Sequence, residues 1–166
     1  LSGNLKNTVL DHELLINADK AMTLDQTNVP DGLQNVEGTF LDFRQQHTIK
    51  DNYYEGIYLT PTKGIDHPYI LNKQDFNTLC ARLFDPVSMR QMDVYTTYPA
   101  VVVYSYNYPS DNNLLFDAKN IMHQGICFET QNQPNGINLE NMPSSILKKE
   151  DKYYHKTLFK FSVGGE

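Results

Sequence analysis

Apolar and polar residues alternate along much of this chain with a period of two, the repeat of an extended strand that buries one face. Residues 11–18 put Leu14, Ile16 and Ala18 on one face. Residues 153–163 set Tyr153, His155, Thr157, Phe159, Phe161 and Val163 against Tyr154, Lys156, Leu158, Lys160 and Ser162. Residues 53–60, 94–97, 101–106 and 125–131 are rich in β-branched and aromatic side chains, which also favour strands. Turn residues punctuate these runs, as at Pro30-Asp31-Gly32, Lys63-Gly64, Pro99, Asn112-Asn113 and Pro134-Asn135-Gly136. One stretch departs from the pattern. Residues 73–84 place Phe76, Leu79, Cys80 and Leu83 at helical spacing and predict a helix, although the tail 79–84 reads equally well as a strand. Residues 19–35 and 132–143 read as long loops, of the kind that carry binding residues on a β scaffold. The sum predicts an all-β, antiparallel sandwich or barrel.

Length and composition narrow the picture. A chain of 166 residues with 40% apolar residues predicts one domain, residues 1–166, with enough material to close a core. The balance of 14 Lys and Arg against 20 Asp and Glu, with no basic cluster, argues against a nucleic-acid partner. The longest wholly aliphatic run, residues 100–103, is far too short to span a bilayer, and residues 1–4 do not resemble a signal peptide, so no membrane partner is expected. Cys80 and Cys127 form no CxxC motif, which predicts a reduced, cytoplasmic protein rather than a disulfide framework. The first residue is Leu1 rather than Met, so the sequence does not begin at a translation start.

Two short stretches offer chemistry. In Gly125-Ile126-Cys127-Phe128-Glu129-Thr130-Gln131, Glu129 shares a strand face with Cys127 and Gln131. A carboxylate in so apolar a strand is expected to be partly desolvated, which raises its pKa towards the range of a general base. An ordinary solvent-facing strand-end glutamate is the plainer alternative. In Lys63-Gly64-Ile65-Asp66-His67-Pro68, Asp66 could accept from two adjacent sugar hydroxyls, and His67 could act in acid–base work or orient its neighbour; a structural turn explains both as well. Asp42 and Arg44 predict a structural ion pair across one strand face. His12, His47, His67, His123 and His155 lack ligand-like spacing, so no metal is expected, and His155 reads as a packing residue. Neither a GxSxG elbow nor a glycine-rich phosphate loop occurs in the sequence.

Seven stretches in order carry a resemblance. They are Asp11-His12-Glu13-Leu14 with Ala18-Asp19; Val36-Glu37-Gly38-Thr39 with Asp42-Phe43-Arg44; Gly64-Ile65-Asp66-His67-Pro68; Val94-Tyr95-Thr96-Thr97-Tyr98-Pro99; Tyr104-Ser105-Tyr106-Asn107; residues 125–131; and residues 153–161. Together they make the chain similar to the C-terminal half of the aldose 1-epimerase (galactose mutarotase) family. The resemblance implies an antiparallel β-supersandwich, here its C-terminal part, and interconversion of the α and β anomers of a hexose without any cofactor. It implies that Glu129 is the catalytic base and Asp66 a substrate-binding aspartate. The family's acid histidine falls just upstream of Leu1, and a second histidine and an arginine of its site fall further upstream. A hexose substrate and a complementing N-terminal segment or chain are therefore the partners expected. A non-catalytic sugar-binding protein and an inactive fragment are the alternatives. Met89 stands at a turn that the family often gives to Gly.

Overall fold

Ten strands among the described residues pair into two five-stranded, wholly antiparallel sheets. The computed structural model describes residues 1–3, 7–53, 55–110, 120–140 and 142–164, so the expected turn at Asn112-Asn113 lies outside the described residues. The strands are β1 (Glu13–Ile16), β2 (Lys20–Leu24), β3 (Pro30–Asn35), β4 (His47–Thr48), β5 (Asp66–Ile70), β6 (Leu79–Asp85), β7 (Arg90–Thr96), β8 (Ala100–Tyr104), β9 (Cys127–Gln131) and β10 (Thr157–Val163). One sheet has the order β10-β7-β6-β1-β4 and the other β3-β2-β5-β8-β9. The predicted all-β sandwich is thus the fold found.

The core lies between the sheets. Leu14, Ile16, Ala81, Leu83 and Val94 from the first meet Ala21, Tyr69, Val101 and Val103 from the second, all buried. Alternation dictates this arrangement, since neighbours along a regular strand point to opposite sides of its sheet; Ala81, next to the likewise buried Cys80, is the exception. Thr130 and Thr157 hydroxyls, 2.6 Å apart, tie the edge strands β9 and β10 together where the two layers meet.

Three expectations about local structure are corrected. Residues 73–84 do not form a helix; the alternative reading of the tail as a strand holds, with β6 at Leu79–Asp85 between β1 and β7. An irregularity between Leu79 and Ala81 in its pairing with β7 buries Cys80 and Ala81 in succession, and two consecutive apolar positions imitate a helical spacing. Just before it, the Asp75 carboxylate accepts from the Asn77 amide at 2.7 Å and from the Thr78 hydroxyl, closing a turn. Residues 19–35 are not a loop but the hairpin β2–β3. Its turn is built on Asp25, which accepts from the Thr27 amide and hydroxyl and from the Val29 amide, and β3 opens with Pro30, tolerated there because β3 is an edge strand. Residues 53–60 contain the 3-10 turn Glu55–Leu59 instead of a strand, closed by the Thr60 amide and hydroxyl, which both donate to the Ile57 carbonyl.

Other expectations hold with altered detail. The Asp42–Arg44 ion pair forms, at 2.8 Å and with two hydrogen bonds, but on an irregular segment rather than a strand. The final strand begins at Thr157, not Tyr153. His155 packs, its ring stacked on Tyr98 with centroids 4.0 Å apart. Met89 turns the chain from β6 to β7 with φ +57°, a conformation that glycine adopts without cost and a residue with a Cβ does not.

Candidate functional site

The outer face of the second sheet carries both candidate carboxylates. Because Tyr69, Val101 and Val103 point into the core, Asp66, Pro68 and Ile70 of β5 point outward, as do Ala100, Val102 and Tyr104 of β8. The register continues the row into β9, where Cys127 lies opposite Tyr104 and Glu129 opposite Val102. Asp66 lies opposite Tyr104 on the other side. Asp66 and Glu129 therefore share one face, with β8 between them and an offset of two residues. Strand spacing puts their backbones roughly 10 Å apart across the sheet and about 7 Å apart along it.

The two carboxylates differ in environment. Asp66 is half-buried, and burial, followed by the negative charge of Glu129, holds its carboxyl above the usual range. Glu129 is exposed, so the partial desolvation expected for it is absent in this chain: it stands on an edge strand, with the Gln131 amide 3.4 Å from its Oε2 as a neighbour. Cys127, also exposed, has its thiol raised by burial of part of its surface and by Glu129.

Aromatic rings border the Asp66 end. Tyr104 and Tyr108 stack at 6.5 Å between centroids, the Tyr108 amide donates to the Tyr104 hydroxyl at 3.3 Å, and the Lys63 ammonium lies 5.8 Å from the Tyr108 ring centre. Burial raises the Tyr108 phenol, and Asp66 is close enough to add to that shift. At the opposite end the segment after β9 crosses to β3, where the Asn135 amide donates to the Pro30 carbonyl at 2.7 Å. Met22 and Ala100, which face outward, are fully buried at this end.

His67 takes the second of its two expected roles. It points into the core, packed edge-on against Phe40, and its Nδ1 accepts from the Asp66 backbone N–H at 3.1 Å. Burial pushes its pKa down to about 4, so the ring is neutral and orients Asp66 instead of exchanging protons at the outer face. Among the described residues no group of three or more His, Cys, Asp or Glu side chains comes together as a metal site. A cleft of about 830 Å³ lies elsewhere, beside β1. Its polar groups are spent on one another: Arg44 on Asp42, His47 on Asn52 and the Gln45 carbonyl, Asn72 on Asn17.

The sequence reading missed Tyr53, Ser105 and Asn107, which gather behind Asp66. Ser105 and Asn107 stood inside a recognised stretch, but nothing in one dimension links them to residue 65 or to Tyr53.

The architecture is that of the mutarotase-like β-sandwiches. It superposes on a crystal structure of a GalM/aldose epimerase homologue from C. elegans with a TM-score of 0.84 at 21% identity, covering 98% of this chain and 48% of that one. The chain belongs to the aldose 1-epimerase family, whose sequence profile matches residues 1–160. It is 34% identical to galactose mutarotase of Rattus norvegicus over 166 residues, and 33% identical to aldose 1-epimerase of Haemophilus influenzae over 171. These alignments cover 98% and 95% of this chain but 47% and 48% of those proteins. A crystal structure of galactose 1-epimerase from Lactobacillus acidophilus matches with a TM-score of 0.74 at 31% identity, covering 95% of this chain and 45% of that one. The chain thus spans about half the length of the curated relatives it matches. No helix among the described residues is long and apolar enough to cross a membrane.

Proposed function

We propose that this chain supplies the base-bearing half of an aldose 1-epimerase, acting on a hexose such as galactose or glucose. The observation that carries the reading is the sharing of one open sheet face by Asp66 and Glu129, at a separation that admits a sugar ring between their side chains. Glu129 takes the proton of the anomeric hydroxyl, while an imidazolium from a complementing N-terminal segment protonates the ring oxygen. The C1–O5 bond breaks, the open aldehyde turns about C1–C2, and closure on its other face returns both protons and yields the other anomer. Asp66 accepts from sugar hydroxyls and fixes the ring between base and acid. Tyr104 and Tyr108 offer apolar ring surface beside it.

Glu129→Gln keeps the shape of the side chain and removes its basicity. In polarimetric mutarotation of α-galactose by the assembly containing both halves, this substitution lowers the rate by roughly 10²- to 10⁴-fold. An unchanged rate removes Glu129 from the reaction. Galactose binding with a rate no faster than the spontaneous one points instead to a sugar-binding protein.

A further inference from the structure

The backbone immediately before Asp66 is held on both sides by a closed, buried network. The Ile65 N–H donates to Ser105 Oγ at 3.1 Å and to the Tyr53 hydroxyl at 3.2 Å. The Ile65 carbonyl accepts from the Ser105 N–H at 3.0 Å and from Asn107 Nδ2 at 2.9 Å. The three side chains also bond one another. Ser105 Oγ lies 2.7 Å from Asn107 Oδ1 and 2.6 Å from the Tyr53 hydroxyl. Ser105 Oγ also lies 3.2 Å from the Ile65 carbonyl, but a hydroxyl has one proton and two lone pairs: Ser105 donates at the shorter contact, to Asn107, and accepts from Tyr53 and from the Ile65 N–H, while the Ile65 carbonyl keeps its Asn107 and Ser105 N–H donors. His123 Nδ1 lies 3.0 Å from the Ser105 carbonyl and fixes that strand end from behind. Ser105, Asn107 and Ile65 are fully buried, where water cannot replace a lost partner. A Cβ at Gly64 would come within 2.5 Å of Asn107 Oδ1 and 2.9 Å of the Tyr53 hydroxyl, so the network closes against bare backbone there.

We infer that Ser105, Asn107 and Tyr53 are positioning residues that set the Asp66 carboxylate for sugar recognition by clamping the Ile65 peptide groups. With the His67 ring accepting the Asp66 N–H, the main chain on both sides of Asp66 is fixed. Only the side chain's own rotation remains free, so the carboxylate waits in place instead of being ordered by the ligand. The inference rests on Asp66 binding the hexose, and its test separates the two ideas.

The experiment compares wild type with Ser105→Ala, Ser105→Thr, Tyr53→Phe and Asp66→Ala. One readout needs no sugar: the Asp66 carboxyl titration followed by carbon NMR. The other is the galactose dissociation constant of the chain. Ser105→Ala moves the Asp66 titration down towards the ordinary carboxylate range and weakens galactose binding about tenfold, whereas Ser105→Thr, which keeps the hydroxyl, restores both. Tyr53→Phe removes one of two acceptors for the Ile65 N–H and gives a smaller change of the same sign, which carries the test if Ser105→Ala does not fold. In an Asp66→Ala background, Ser105→Ala changes affinity by less than about twofold, because its action runs through Asp66. An unmoved Asp66 titration in Ser105→Ala and Tyr53→Phe overturns the clamp. So does an affinity loss just as large without Asp66, which marks a general structural role. A shifted titration with Asp66→Ala leaving galactose affinity intact upholds the clamp and refutes Asp66 as the sugar ligand.

Discussion

Strands β5 and β9 belong to the same sheet and obey the same alternation, yet they live in different surroundings. β5 sits at the centre, with β2 on one side and β8 on the other, and its inward residue Tyr69 is fully buried. Its outward carboxylate, Asp66, is half-buried and backed by the Ser105 network. β9 is an edge, and its outward carboxylate, Glu129, stands in the open. The neighbouring edge β10 sharpens the contrast. Phe159 and Phe161 lie in register with Val94 and Met92, on the core side, yet remain 40% and 66% exposed. Alternation decides which way a side chain faces. Whether anything lies there to cover it depends on further chain. The relatives that this chain matches are about twice its length. Under the proposed function, the apolar margin of β10 is where association with a complementing segment is tested.

The largest expected effect separates functional from structural cost at the edge. Glu129→Gln, with its rate loss of roughly 10²- to 10⁴-fold, should change unfolding free energy by less than about 0.5 kcal/mol, because the side chain is exposed. Urea unfolding checks this; a large destabilisation would mean that Glu129 is part of the packing. Tyr69→Ala is its opposite at the centre. Losing a fully buried ring whose hydroxyl reaches the Leu41 carbonyl should cost about 3–5 kcal/mol and unfold a marginal domain. A loss under about 1 kcal/mol would show that the centre is as loosely packed as the margin.

Acid should next weaken the central region. His67 is neutral in the folded chain until about pH 4, while the unfolded chain binds that proton near 6.5. Between these values the unfolded state holds more protons, so stability is fully present above pH 6.5 and falls as the pH drops towards 4, by on the order of 3 kcal/mol. Burial lowers His12 and His123 as well, which adds the same sign. His67→Gln should flatten the slope of unfolding free energy against pH in this window; an unchanged slope would assign it to other groups. Met89→Gly relieves a left-handed turn and should raise stability by about 1 kcal/mol, whereas a loss would mean that the Met89 side chain packs. The smallest effect belongs to the margin. Phe161→Ser should alter stability by less than about 0.5 kcal/mol but reduce association with the complementing segment, as sedimentation velocity would register.

Legibility in the sequence followed the same division. β1 and β10 were readable because they alternate, and β7, β8 and β9 because they are rich in β-branched and aromatic residues. The hairpin β2–β3 was not, because β3 is a polar edge strand that begins with proline and shows no apolar face. β6 imitated a helix because its irregularity buries Cys80 and Ala81 together. Asp66 and Glu129 stood out as candidates, Glu129 as a carboxylate in an apolar strand and Asp66 as one where a turn joins a strand, and the roles proposed for them rest on the resemblance. Ser105 and Asn107 are small polar residues without reactive chemistry. Their meaning comes from contacts with Ile65, 40 and 42 positions away, which only the fold creates.

The most direct measurement is polarimetric mutarotation of α-galactose by this chain alone, by a complementing N-terminal half carrying the upstream histidine, and by the two combined. The account predicts the spontaneous rate from either half, a strong acceleration from the mixture, and its loss when the mixture contains Glu129→Gln. Acceleration by this chain alone that survives Glu129→Gln would contradict it, because the base and the division of the site would both be wrong.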